Sequence, residues 1–369
     1  MALEIRMRAF SYLFAAAAAV SLSSVSIAAA PVDPSIINEF AKPHQLVRLE
    51  DGRRINLFCM GSGDRTVLFD AGGSDWSVVW ALVQPVIASK AKACSYDRAG
   101  LGYSDSSPAP RTPVSIVDDA HALISTALKG PVILVGHSLG GFHAKLHAAL
   151  YPNDVEGLVL VDPAEDRWWD RTRAATRKKY GARLAARSEL LDESFFARLE
   201  ARYRDCVTAA RTADLDPKST AYRRCSDPPR PQLGAEIATE RARLQVKATY
   251  QEAQASEIAN SVYAGKGGDE AYSDLFKPGA VGSKPVIVLT HGRYDANDPV
   301  DSLGQFQSLA LHRQTAALSS KGVQRVVPDT GHYIELDAPD AVISAIEEVL
   351  SAVDRAARPT RARSASAGR

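Results

Sequence analysis

The chain carries no surplus of charge of either sign. Its 44 basic and 43 acidic side chains leave a net +1 over 369 residues, so no global field recruits nucleic acid or an anionic surface. Cysteine is scarce, at four residues, and neither a C-x-x-C nor a paired Cys/His spacing occurs, so the expected metal content is none. The chain also lacks an apolar run of the ~20 residues that a bilayer span takes. Its apolar stretch from Ala9 to Val20 follows Arg6 and Arg8 and precedes Ser26-Ile27-Ala28-Ala29-Ala30, the layout of an export signal. Residues 1–30 therefore read as a signal peptide cut near Ala28, with a membrane anchor as the competing reading. The mature protein is expected in the periplasm or outside the cell, with no stable span after cleavage. An oxidising compartment makes bridges among Cys59, Cys94, Cys206 and Cys225 reasonable. Buried free thiols are the alternative.

What is present is enough apolar sequence, 46%, to bury a large core in one domain or one domain with an insertion. Gln45 to Leu49 and Arg54 to Met60 flank Glu50-Asp51-Gly52, a hairpin signal. Short apolar runs at Thr66 to Asp70, Ala93 to Asp97, Val132 to Val135, Gly157 to Val161, Pro285 to Thr290 and Gln324 to Pro328 read as strands buried on both faces. Helices are expected at Ser77 to Ala88, Val114 to Leu128, Ser302 to Ser319 and from Pro339 or Asp340 to Val353. From 164 to 283 the composition turns to Arg, Glu and Ala without buried-strand runs and reads as helical. Ser194 would cap one helix there, and another would span Ala235 to about Glu257. Beyond Arg355 the tail is Arg, Ser, Ala and Gly and reads as disordered.

The most informative stretch is Pro131 to Tyr151. An apolar strand, then Gly136-His137-Ser138-Leu139-Gly140, then a helical pattern form a G-x-S-x-G sequence in the strand–turn–helix context that gives it meaning. Glycines 136 and 140 allow the tight turn, and Ser138 stands at the positive end of a helix beside free N–H groups. On these residues the chain resembles the α/β-hydrolase family, and the resemblance covers nearly all of it after the leader.

That resemblance implies an α/β fold: a mostly parallel twisted sheet of about eight strands, helices on both faces, and a helical lid inserted after the sixth strand. The expected organisation is core at 31–163, lid at 164–283, core again at 284–355 and tail at 356–369. It also implies a serine, acid, histidine order, each residue just past a strand end, which assigns Ser138, Asp295 and His332 as catalytic. Asp298, directly before Pro299, suits a helix N-cap and leaves Asp295 for the histidine; Asp162, after the sixth strand, is the alternative acid. The backbone N–H groups of Leu139 and Gly73 would hold the oxyanion. The implied strand order sets the second and fourth strands side by side and pairs Cys59 with Cys94, while Cys206 with Cys225 would close a short loop inside the lid.

A serine elbow argues against members whose elbow carries aspartate, the haloalkane dehalogenases and epoxide hydrolases. The expected activity is hydrolysis of a small-molecule carboxylic ester, or amide, through an acyl-serine, with no cofactor. Two alternatives stand beside it. A prolyl-aminopeptidase-like peptidase would use lid acids such as Glu165, Asp166, Glu189 or Glu193 to hold a substrate amine, and a catalytically silent binding protein would merely keep the fold. Serine-dependent lyase or cofactor-free oxygen chemistry is a third reading on the same scaffold. Trp168, Trp169, Phe195 and Phe196 are candidates to line the pocket or to form the lid core.

Overall fold

Eight apolar or alternating segments form one sheet, and the side chains of its central strands are buried on both faces. The computed structural model describes residues 32–212, 215–216, 218–264, 272 and 274–357; the expected signal peptide and nearly all of the expected tail lie outside them. The strands are β1 (Gln45–Arg48), β2 (Arg54–Met60), β3 (Thr66–Asp70), β4 (Lys92–Tyr96), β5 (Val132–His137), β6 (Val155–Val161), β7 (Val286–His291) and β8 (Gly322–Val327). Their order across the sheet is β1-β2-β4-β3-β5-β6-β7-β8. β1 and β2 run antiparallel at one edge, β2 meets β4 antiparallel, and every other pairing is parallel.

The helices are α1 (Pro34–Glu39), α2 (Gln84–Ile87), α3 (Pro113–Leu123), α4 (Leu139–Leu150), α5 (Trp168–Tyr180), α6 (Ala182–Arg211), α7 (Thr220–Cys225), α8 (Gly234–Gln245), α9 (Ala248–Asn260), α10 (Pro299–Ala316), α11 (Ile334–Asp337) and α12 (Pro339–Ala357). Side-chain alternation along β5 divides the core. Ile133 and Val135 join one cluster with Trp80, Ile87, Ile346 and Val349, whereas Val132 and Leu134 join another with Ala120, Leu123, Ala144 and Ala148. Helices therefore cover both faces, as a parallel sheet requires. All five helices α5–α9 lie between β6 and β7 in the chain and form the cap.

Both expected disulfides are present, Cys59–Cys94 and Cys206–Cys225. Cys59 and Cys94 are register partners on β2 and β4, and Cys206 and Cys225 join α6 to α7. Three helix expectations differ from the structure. Ser77 to Ala88 is a 3₁₀ turn at Ser77–Trp80, a break, and α2 with proline in its first turn, because Pro85 has no N–H to continue a helix from upstream. Ser194 caps nothing: α6 runs through it. The single helix expected from Ala235 is two, α8 and α9, separated at Lys247, whose ψ of 140° is extended. There the buried Gln251 amide donates to the Gln245 carbonyl at 2.6 Å and replaces a helical bond.

Candidate active site

The turn from β5 into α4 places Ser138 at φ 51°, ψ −118°, a backbone conformation worth roughly 1–3 kcal/mol of strain in a residue other than glycine. Surrounding bonds hold it: Ser138 N–H donates to Val161 O at 3.0 Å, and Ser138 O accepts from Ala164 N–H at 2.8 Å. The glycines are needed for close approach. A Cβ on Gly136 would collide with the Gly140 backbone, and one on Gly140 with the backbone of Asp70 and Ala71. Ser138 is thereby pinned at the end of β5.

The loop after β3 packs over this turn. A Cβ built on Gly72 would lie 3.4 Å from the Ser138 Cβ, and one on Gly73 would lie 2.9 Å from Leu139 Cδ1. Gly73 and Leu139 are thus brought together. The loop itself is tied down by buried charge. Asp75 pairs with Arg230 at 2.7 Å and Arg241 at 2.5 Å, and the Tyr250 hydroxyl donates to Ser74 O at 2.8 Å. Arg98 pairs with Asp70 and with Glu257, both at 2.7 Å, and donates to the carbonyls of Ala71 and Gly72 at 2.6 and 2.7 Å. Arg230, Arg241, Tyr250 and Glu257 all belong to the cap.

His332 lies past β8, in a loop held by Thr330, whose hydroxyl donates to Val327 O at 2.8 Å, and by Gly331 N–H on Asp337 Oδ2 at 2.8 Å. Its Nδ1 lies 2.6 Å from Asp162 Oδ2, and its carbonyl accepts from His137 Nε2 at 2.9 Å. Asp162 follows β6 at φ 45° and is only 4% exposed. Burial pushes its carboxyl up, yet hydrogen bonds from His291 and His332 and the nearby His332 and His312 charges outweigh this and hold it well below the ordinary carboxylate range.

Asp295 is not where the expectation put it. Its Oδ1 accepts from Asn297 N–H at 2.8 Å, its own N–H donates to Asp301 Oδ2 at 2.6 Å, and the residue is exposed. The loop after β7 spends this carboxylate on its own turn before Asp298 caps α10, accepting from Val300 N–H at 2.8 Å. The carboxylate that meets His332 is Asp162. It stands at the end of β6, a strand flanked by β5 and β7, so the first residue beyond it emerges beside the serine turn.

Sequence reasoning also missed His291. Its backbone N–H donates to Asp162 Oδ1 at 3.1 Å, and its Nδ1 lies 2.8 Å from both carboxylate oxygens. One carboxylate therefore orients two imidazoles. Burial opposes a charge on His291, but the bond to Asp162 more than compensates and raises its pKa. The available signal was a histidine closing the strand next to β6.

Beneath His332 the His137 ring is buried. Desolvation, then the His332 charge, push its pKa down to about 3. Its Nδ1 lies 3.2 Å from Glu335 Oε1, and burial raises that carboxyl well above its usual range. The two face each other uncharged, leaving Nε2–H to hold the His332 carbonyl.

A cavity of about 320 Å³ opens beside these groups, lined by Asp162, His291, His332, Trp168, Phe196 and Tyr263 among others. Phe196 stacks on Tyr263 with centroids 4.3 Å apart, and Trp168 meets both rings edge-on at 5.5 and 5.4 Å. Trp168 and Phe196 thus line the cavity. Trp169 is buried and donates to Asp192 at 2.9 Å, and Phe195 is 53% exposed. The arrangement offers an apolar aromatic wall facing an imidazole backed by an ionised carboxylate, beside a serine on a strained turn.

Solved structures share this fold. An esterase from Thermogutta terrifontis superposes with a TM-score of 0.53 at 20% identity, covering 84% of this chain and 99% of its own. An enol-lactonase from Burkholderia xenovorans LB400 gives 0.51 at 18% identity, covering 83% of this chain and 99% of its own. By sequence, the (lyso)-N-acylphosphatidylethanolamine lipase of Mus musculus is 35% identical over 105 residues, 27% of this chain and 31% of that protein. The matches span only 15% to 42% of the length of the first four curated relatives. A sequence profile of the alpha/beta hydrolase family matches residues 61–345, most of the chain, and together with the eight-stranded sheet this places the protein in the alpha/beta hydrolase family.

Proposed function

We propose that the protein is an exported serine hydrolase that cleaves carboxylic esters, with Ser138 as nucleophile, His332 as base and Asp162 as the acid. The observation that carries this reading is the 2.6 Å bond from His332 Nδ1 to a buried, ionised Asp162. That bond fixes the tautomer and leaves Nε2 as the proton acceptor. Oγ attacks the ester carbonyl carbon as its proton passes to Nε2, and the oxyanion forms against the N–H groups of Leu139 and Gly73. Collapse expels the alcohol, which takes the proton, and leaves an acyl-serine. Water activated by the same imidazole then releases the acid and restores the serine.

Two disulfides fit an oxidising destination, and among the described residues no helix is long and apolar enough to cross a membrane. The peptidase alternative needs spare cap acids, and three of the four candidates are held in ion pairs. Glu165 and Asp166 pair with Lys145 at 2.9 and 3.2 Å and both with Arg171 at 2.9 Å, while Glu189 pairs with Arg173.

The test is hydrolysis of short- and medium-chain p-nitrophenyl esters and of proline anilides by the mature protein and by Ser138→Ala. Ester turnover that the variant loses by at least ~10³-fold is expected. Preference for the anilides, or silence on both substrates, overturns the reading.

A further inference from the structure

Far along α4 from Ser138, three side chains with metal-ligand chemistry converge. His121 lies in the last turn of α3, His147 in the last turn of α4, and Asp154 in the 3₁₀ turn Pro152–Asp154 that leads into β6. His121 Nδ1 and His147 Nε2 lie 2.7 and 2.8 Å from the same Asp154 Oδ2, and all three ligating atoms fall within 4.8 Å of one another. They come from three elements with no local spacing, so no motif marks them in the sequence.

We propose that His121, His147 and Asp154 bind one divalent transition-metal ion of the zinc type, a structural clamp joining α3, α4 and the entry to β6. Two imidazoles and one carboxylate suit zinc, cobalt, nickel or copper rather than calcium or magnesium, which prefer all-oxygen sets. Nothing about the geometry needs large rearrangement. The Tyr151 ring stacks on His121 with centroids 3.9 Å apart and planes 5° from parallel, and its hydroxyl donates to Asp118 at 2.7 Å, so the ring plane is set in advance. Access is present as well: the His121 and Asp154 side chains are 38% and 16% exposed, leaving an open side for a water as fourth ligand. A dication here also sits at the negative end of α4. The nine-residue step from Ser138 to His147 corresponds to ~13 Å of helix, so the clamp is separate from the chemistry proposed above and independent of it.

Untagged mature protein, stripped with a chelator, should take up one Zn²⁺ per chain in calorimetry, and Co²⁺ should give the visible absorption of a low-coordinate site. Zn²⁺ should raise the melting temperature. His121→Gln and Asp154→Asn should each weaken Zn²⁺ binding at least tenfold and abolish the thermal shift, while His332→Ala should leave both intact. Circular dichroism and ester turnover of the His121 variant, whose side chain is partly exposed, verify its fold. Absence of stoichiometric binding overturns the proposal. So does binding that survives both substitutions or that is lost in His332→Ala, since the ion would then sit at the catalytic imidazoles.

Discussion

The sheet and the cap bury their interiors by different means. β5 is buried over its whole length, and its neighbours β3 and β6 nearly so, by Val, Ile, Leu and Phe facing helices on both sides. In the cap, Leu233, Ile237, Leu244 and Tyr250 join the apolar core cluster, and buried charges add directed contacts to the core: Arg230 and Arg241 on Asp75, Glu257 on Arg98, and Glu165 and Asp166 on Lys145. Apolar packing is non-directional, whereas a guanidinium–carboxylate pair fixes angle as well as distance. The cap pairs concentrate on residues 70–75 and 98, the loop beside Ser138. The cap is therefore built into the ledge on which the proposed chemistry occurs, and its register with the core is set by ion pairs.

This contrast can be broken in graded steps. The largest effect is expected at the sheet's edge of the site, where Asp162→Asn should lower kcat by ~10³ to 10⁴ with folding intact, while Asp295→Asn stays within about threefold of wild type. Steady-state kinetics on p-nitrophenyl esters read both, and the reverse ranking would return the acid to the loop after β7. Asp75→Ala comes next. It leaves Arg230 and Arg241 facing one another without their fully buried partner, so ~3–5 kcal/mol of stability should be lost. Ester turnover in the protein that remains folded should fall with it, checked by denaturant titration alongside kcat; unchanged turnover would mean that the cap does not position the ledge.

Cys206→Ser with Cys225→Ser removes a bridge closing a separation of 19 residues and should cost ~2–4 kcal/mol in thermal unfolding. It should alter kcat less than Asp75→Ala, because the bridge joins α6 to α7 and touches no part of the 70–75 loop. The smallest effect concerns pH. His137 titrates near 6.5 when unfolded but is pushed down to about 3 in the folded protein. Its contribution to stability is present above pH 6.5 and lost as pH falls toward 3, because only the unfolded chain takes the proton readily. Unfolding free energy should therefore drop by roughly 1–3 kcal/mol between pH 6.5 and 4.5, and His137→Gln should flatten that slope.

The same contrast explains what could be read in advance. Apolar runs are local, so all eight strands and the serine turn were legible, and strand adjacency carried the Cys59–Cys94 pairing with it. The acid was not, because both the β6 and β7 ends supply an aspartate, and only the three-dimensional end point of each strand shows which one reaches the imidazole. His291 escaped notice for the same reason: its role exists only because β7 lies beside β6. In the cap, the break between α8 and α9 carries no proline or glycine, and a buried glutamine amide sustains it. Arg230 and Arg241 look in sequence like ordinary surface charge, and nothing local marks Asp75, in a different part of the chain, as their partner.

Arg98 takes the carbonyl oxygens of Ala71 and Gly72 into its guanidinium fork. In a trans peptide unit the oxygen and the following amide hydrogen point in opposite directions, and the described backbone has no cis bond. Grasping the Gly72 oxygen therefore swings the Gly73 hydrogen outward, away from the arginine. If the Gly73 N–H is the oxyanion donor proposed above, a buried cation one residue away would act as its aiming screw, through the backbone alone.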